Sequence, residues 1–138
     1  MTILAAWSVV LSRFSGQDDI VIGTLSAQRH PWEIKPMIGR FVNTLMISVD
    51  LSGNPSMSQL LERVCQFTEA AQAHQDLPFE QVLEIMGKTS PLQVMFALQN
   101  NEQREIYLPE IVMAPAEMSH DIVKFELDLQ LHEKNDEI

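Results

Sequence analysis

Val123, Phe125, Leu127, Leu129 and Leu131 alternate with Lys124, Glu126, Asp128, Gln130 and His132. Apolar residues at every second position share one side of an extended chain, so this stretch predicts a strand with one face buried and one wet. Such a strand commits the chain to a sheet, and the apolar face of a sheet needs a second layer to cover it. Helices earlier in the chain supply that layer. Ile3, Leu4, Trp7, Val10, Leu11 and Phe14 recur at helical spacing and predict a first helix with one apolar stripe. Gly16 stands where a left-handed cap would end it.

Ile20 to Leu25 is a short apolar run, read as a buried strand. Residues 26–37 hold Pro31 and Pro36 and read as loop with a helical turn, and Val42 to Val49 as a second strand. Ser52-Gly53-Asn54-Pro55 is a turn, and Ser56 with Gln59 forms a capping box. The long helix that follows places Met57, Leu60, Leu61, Val64, Phe67, Thr68 and Ala71 on one face. Pro78 fits the first position of a short helix in which Phe79, Val82, Leu83 and Met86 point inward. Leu92 to Leu98 reads as a buried strand, Asn100 to Glu105 as a polar loop, and Ile111 to Ala114 as a candidate short strand. Helices and strands interleave, so the fold class is α/β, a two-layer sandwich with a sheet backed by helices. It forms one unit over residues 1–133, with a polar, mobile tail at 134–138.

The net charge of -10 repels a polyanion, and the nine Lys and Arg residues are scattered, which excludes nucleic acid as a partner. The single cysteine, Cys65, rules out an internal disulfide and suits a reducing compartment. No apolar run approaches the roughly 20 residues that span a bilayer, and the N-terminus lacks a secretory pattern. The expectation is a cytoplasmic protein without a membrane partner. His30, His74, His120 and His132 lack metal-ligand spacing, so no metal site is expected. There is no Gly-x-Ser-x-Gly elbow and no glycine-rich phosphate loop. Glu126 and Asp128 fall on the wet face of a strand, where solvation explains them. No residue is assigned a catalytic role.

Two cassettes stand apart from helix and strand filler: Ile38-Gly39-Arg40-Phe41-Val42-Asn43-Thr44-Leu45 and His74-Gln75-Asp76-Leu77-Pro78-Phe79-Glu80. In the first, Gly39 permits a backbone geometry or a close approach that a β-carbon would block. Asn43 is polar inside an apolar run and, if buried, must be hydrogen-bonded; local backbone is its simplest partner. In the second, Asp76 and Pro78 make a turn that launches a helix, Phe79 anchors it, and His74 ends the preceding helix, where positive charge is favoured.

Read in order, the cassettes resemble two core motifs of nonribosomal peptide synthetase condensation domains. Leu11-Ser12-Arg13-Phe14-Ser15-Gly16-Gln17-Asp18-Asp19-Ile20-Val21-Ile22-Gly23-Thr24 upstream and Pro91-Leu92-Gln93-Val94-Met95-Phe96 downstream agree, and the resemblance runs from Leu4 to about Leu131. It is to the C-terminal half of such a domain, resembling half of the chloramphenicol-acetyltransferase-like architecture. The family's His-His-x-x-x-Asp-Gly signature belongs to the other half, and no such run occurs in this chain. The equivalent helix in the family starts further back, which implies that the chain begins inside an element.

The resemblance implies amide-bond formation between aminoacyl and peptidyl thioesters on carrier proteins. The phosphopantetheine arms belong to those partners, and this chain itself is expected to bind no cofactor. It would supply a channel wall, with Gly39, Phe41, Asn43, Thr44 and Gln93 as candidate channel residues. His74, Gln75, Asp76, Pro78 and Phe79 form a structural motif. The N-terminal half is the implied partner, and its absence would leave apolar surface that promotes self-association as salt screens the negative charge.

One family feature is damaged. An Arg-Asp pair and a Phe between Leu92 and Gln93 are missing, and that Arg is implied to pair with the Asp of the catalytic signature. Two readings therefore stay open: an enzyme fragment inactive alone, and a degenerate half-domain acting as a docking or scaffold module. A coenzyme-A-dependent acyltransferase relative is a third, weaker one.

Overall fold

The alternating segment at the end of the chain does form a strand, although a shorter one than its period suggests. The computed structural model describes residues 1–27, 33, 36–39, 41–87, 92–99 and 124–132. The expectations for the loop around Pro31, for Asn100 to Glu105, for Ile111 to Ala114 and for the tail lie outside the described residues.

The elements are α1 (Thr2–Ser15), β1 (Asp19–Ser26), β2 (Asn43–Asp50), α2 (Met57–Ala73), α3 (Phe79–Met86), β3 (Val94–Gln99) and β4 (Leu127–His132). The four strands make one mixed sheet in the order β2-β1-β3-β4. β1 runs antiparallel to β2 and parallel to β3, and β3 runs parallel to β4. This is the expected α/β arrangement of a sheet backed by helices.

The β1–β2 register sets the core. Ile20 faces Val49 and Ile22 faces Ile47, so four β-branched residues fall on one side of the sheet. Leu4, Ala5 and Leu11 of α1, Leu60 and Val64 of α2, and Phe96 of β3 close over them. Ile22, Val49 and Val64 lose all contact with solvent. At about 25 cal/mol per Å² of apolar surface removed from water, this cluster is the main stabilising feature of the fold.

α1 ends at Gly16 as its position predicts. Gly16 has φ 70°, and its N–H donates to the Ser12 carbonyl. The predicted stripe, however, is rotated. Phe14 is 90% exposed and Val10 is exposed too, whereas Ala5 and Ser8 are fully buried. The buried stripe of α1 is Leu4, Ala5, Ser8 and Leu11, turned away from Val10 and Phe14. Ser8 satisfies its hydroxyl by donating to the Leu4 carbonyl at 2.8 Å, so a polar residue sits in the core without an orphaned group.

Ser52 to Pro55 turn the chain with positive φ at Gly53 and Asn54, and the capping box forms. Gln59 N–H donates to Ser56 Oγ, and Ser56 N–H donates to Gln59 Oε1. Arg63 then ties α2 to this turn, its Nη1 donating to the carbonyls of Asp50 at 2.7 Å and Ser52 at 3.1 Å. Hydrogen bonds from Ser52, with the Arg63 charge as a lesser cause, hold the Asp50 carboxyl below its ordinary range. Leu60, Val64 and Thr68 form the buried face of α2. Met57 and Phe67, predicted on that face, are exposed, because they flank the line of contact at its two edges.

β4 corrects the opening expectation in part. Phe125 lies in a bend before the strand, Leu127 is exposed, and Leu129 and Leu131 are only half-buried. Among the described strands β4 is the last in the sheet order, so its apolar face is packed from one side only. β1 is likewise buried through Ile20, Ile22 and Gly23 but not at Leu25. No helix among the described residues is long and apolar enough to cross a membrane.

Candidate functional site

The two cassettes meet. β2 begins at Asn43, which is paired with Ser26 at the end of β1. α2 ends beside the same point and passes through a turn at residues 74–78 into α3. Asn43 spans the gap. Its Nδ2 donates to the carbonyls of Gln75 at 2.8 Å and Leu77 at 2.7 Å. Its Oδ1 accepts from Thr44 N–H at 3.0 Å and Phe79 N–H at 3.2 Å. All four hydrogen-bonding positions of the carboxamide are filled. Local backbone accounts for one of them, the bond from Thr44; the other three reach the second cassette. Ser26 adds a neighbouring bond from its hydroxyl to Gln75 Oε1.

The other residues of the cassettes have plain roles. Phe41 lays its ring on Gly39, where an added β-carbon would stand 3.0 Å from Phe41 Cε2 and the ring would have to give by a few tenths of an ångström. Thr44, Leu77, Phe79 and Val82 line a small apolar cavity of about 130 Å³ between β2 and α3. His74 is the C-terminal cap of α2, and its N–H donates to Ala71 O at 3.3 Å. His74 and Asp76 are both exposed. Pro78 stands one position earlier than predicted, at the N-cap of α3, where its carbonyl accepts the first helical bonds.

α3 buries no residue fully. Phe79, Val82 and Leu83 are half-buried, and Met86, predicted to face inward, is exposed. Phe79→Ala is therefore expected to cost about 1–3 kcal/mol, below the roughly 3–5 of a fully buried phenylalanine. His74→Ala should cost less than about 1 kcal/mol. Urea melts of both variants check the order; a larger loss for His74 would show that the turn is held by that imidazole.

Gln93 does not join this group. Met95 of β3 is level with Gly23, which puts Gln93 level with Val21, five residues from Ser26 or roughly 16 Å along the sheet. There Gln93 Nε2 donates to Glu126 Oε1 at 3.1 Å, and its carbonyl accepts from Glu126 and Leu127 N–H. Beside the cassettes, at the C-terminal ends of β1 and β3, lies a cleft of about 560 Å³. Leu4, Phe96 and Leu98 give it apolar walls, and Thr24, Ser26 and Gln75 give it polar ones. Ser26 carries no sequence signal of its own; only its register with Asn43 brings it here.

Comparison with known proteins agrees with the motifs. A family model described as "Condensation domain" matches residues 1–138. Malpibaldin synthetase of Mortierella alpina is 56% identical over 144 residues, covering 100% of this chain and 3% of that protein. Malpinin synthetase of the same organism is 52% identical over 141 residues, covering 98% of this chain and 2% of that protein. The chain thus spans only a few per cent of the length of these relatives.

Among solved structures, the X-domain from teicoplanin biosynthesis overlays with a TM-score of 0.85 at 24% identity, covering 96% of this chain and 31% of that one. The complex of that X-domain with OxyB matches with a TM-score of 0.81 at 25% identity, covering 96% and 30%. The first condensation domain of the CDA synthetase gives 0.67 at 17% identity, covering 74% and 23%.

Proposed function

The chain belongs to the condensation-domain family, and we propose that it is the C-terminal half of such a domain within a nonribosomal peptide synthetase. In this reading it walls one side of the channel where an amine on one carrier protein attacks a thioester on another. A C–N bond forms, the C–S bond breaks, the phosphopantetheine thiol leaves, and the amine gives up a proton. The observation that carries the reading is the meeting of the two family cassettes at Asn43, next to an apolar cleft with polar groups at its rim. Its size suits an acyl or aminoacyl group better than a whole peptide.

No member of either cassette is a catalytic residue in this reading. His74 and Asp76 serve the turn, and Asn43 is spent on backbone groups. The N-terminal half would supply the group that handles the amine proton. The isolated chain is therefore expected to form no amide bond. A single-turnover assay with loaded donor and acceptor carrier proteins tests this, run with the chain alone and with the intact synthetase. Product from the chain alone above the buffer control, abolished by a substitution within it, would overturn the reading.

A second reading has one observation in its favour. The X-domain, whose solved complex is with OxyB, overlays on nearly the whole chain, and the Arg-Asp pair of the family is missing here. A docking role without amide formation would fit both. An intact synthetase that carries this sequence, binds another protein of its assembly through it and makes no product at this step would favour docking.

A further inference from the structure

We infer that Asn43 is a positioning residue that fastens α3 to the sheet by capping that helix and bracing the turn that leads into it. An eight-residue helix is too short to persist in water by itself, so α3 must be held by contacts. None of its residues is fully buried, which makes those contacts few. Its first turn is also poorly equipped: the N-cap is Pro78, which offers no side-chain bond to the first free N–H groups. Asn43 supplies the missing acceptor from another element, taking Phe79 N–H on its Oδ1. The same carboxamide serves the exit of α2, because its NH₂ group donates to the carbonyls of Gln75 and Leu77 in the turn after the last helical residue.

No other side chain meets these demands from the first residue of β2. Two donors and one acceptor shared by two N–H groups are needed on a planar group of this length. Aspartate lacks the donors, serine and threonine lack the reach, and glutamine would overshoot the turn. Because Asn43 is held by its pairing with Ser26, the position of α3 is referred to the end of the β1–β2 ladder. The inference concerns the placement of the turn and α3. It does not depend on which function is correct.

The test is amide hydrogen exchange on the full-length protein. Asn43→Asp keeps the shape and Oδ1 but replaces the NH₂ group by oxygen. Protonated, the new carboxyl still donates one bond toward Gln75 or Leu77; ionised, it sets a negative oxygen against two carbonyls. The ionised form keeps the two N–H bonds on Oδ1 but has no donor for the carbonyls of Gln75 and Leu77, so at neutral pH the turn and α3 are held less tightly than in wild type.

At neutral pH the protection factors of residues 79–86, taken against intrinsic exchange rates at the same pH, should be about tenfold lower in N43D than in wild type. N43A, which loses all four side-chain bonds, should lose at least as much protection. Ser26→Ala, which removes only the bond to the Gln75 side chain, should leave those amides within about twofold of wild type. The inference is overturned if N43D or N43A protects α3 as wild type does. It is equally overturned if S26A matches N43A, or if amides of Ile22, Ile47 and Val64 loosen in parallel with α3.

Discussion

Ile22→Ala should lower the unfolding free energy by about 2–5 kcal/mol, the range for truncating a buried aliphatic side chain. Ile22 is fully buried, lies on β1 with strands on both sides, and faces Ile47 across the ladder. Neither neighbouring strand is free to collapse into the cavity, because each is fixed by its own pairing. The upper half of that range is therefore expected. Val21→Ala is the matched control: it lies one residue away, half-buried on the opposite face of the same strand, and should cost less than about 1.5 kcal/mol. Urea melts of both variants give the comparison. Equal losses would mean that the two faces of the sheet are equally packed and that the core has been placed on the wrong side.

The contrast between these residues shows which features of the fold are legible in the chain. Ile20 and Ile22 announce a strand through β-branching, and Ser56 with Gln59 announces the start of α2 through chemistry that is local and leaves few alternatives. Local rules of this kind hold at Gly16 and Gly53 as well. The choice of face is less legible. Helical spacing assigns Phe14 and Phe67 to buried stripes, yet both are exposed. Hydrophobicity marks a broad arc of a helix, while the line of contact is narrower, and at α1 that line runs through Leu4, Ala5, Ser8 and Leu11.

The site is legible as two separate strings and not as one place. Asn43 is a polar residue in an apolar run, which predicts a hydrogen bond but not its address. The address depends on the Ser26–Asn43 register and on where α2 ends, two facts separated by dozens of residues. Gln93 is a different case. It belongs to a third family motif, and the parallel pairing of β3 with β1 puts it at the other end of the sheet from Asn43. Motifs adjacent in a family pattern share ancestry without having to share a site.

Gly23→Val should destabilise the fold by about 1–3 kcal/mol, because the space a side chain would need is already filled. A β-carbon at Gly23 would meet Met95 Sδ and stand 2.5 Å from Leu92 Cδ2. Met95 and Leu92 are both buried, at 4% and 5% exposure, so neither can swing aside into water without exposing apolar surface. This crowding gives the Leu92-Gln93 segment a structural purpose: Leu92 covers the middle of β1 on the face opposite the helices, where Gly23 leaves it room. Replacing glycine within a strand usually gains backbone stability, by roughly 0.5–1 kcal/mol, so a net loss would isolate the steric term. Leu92→Ala, which opens that room at its own cost, supplies the coupling test. If the two side chains compete for one volume, the double variant should be more stable than the sum of the single losses predicts, by more than about 1 kcal/mol. Additivity within about 0.5 kcal/mol would mean that the neighbours of the introduced valine yield without strain, and the packing account of Leu92 would fall with it.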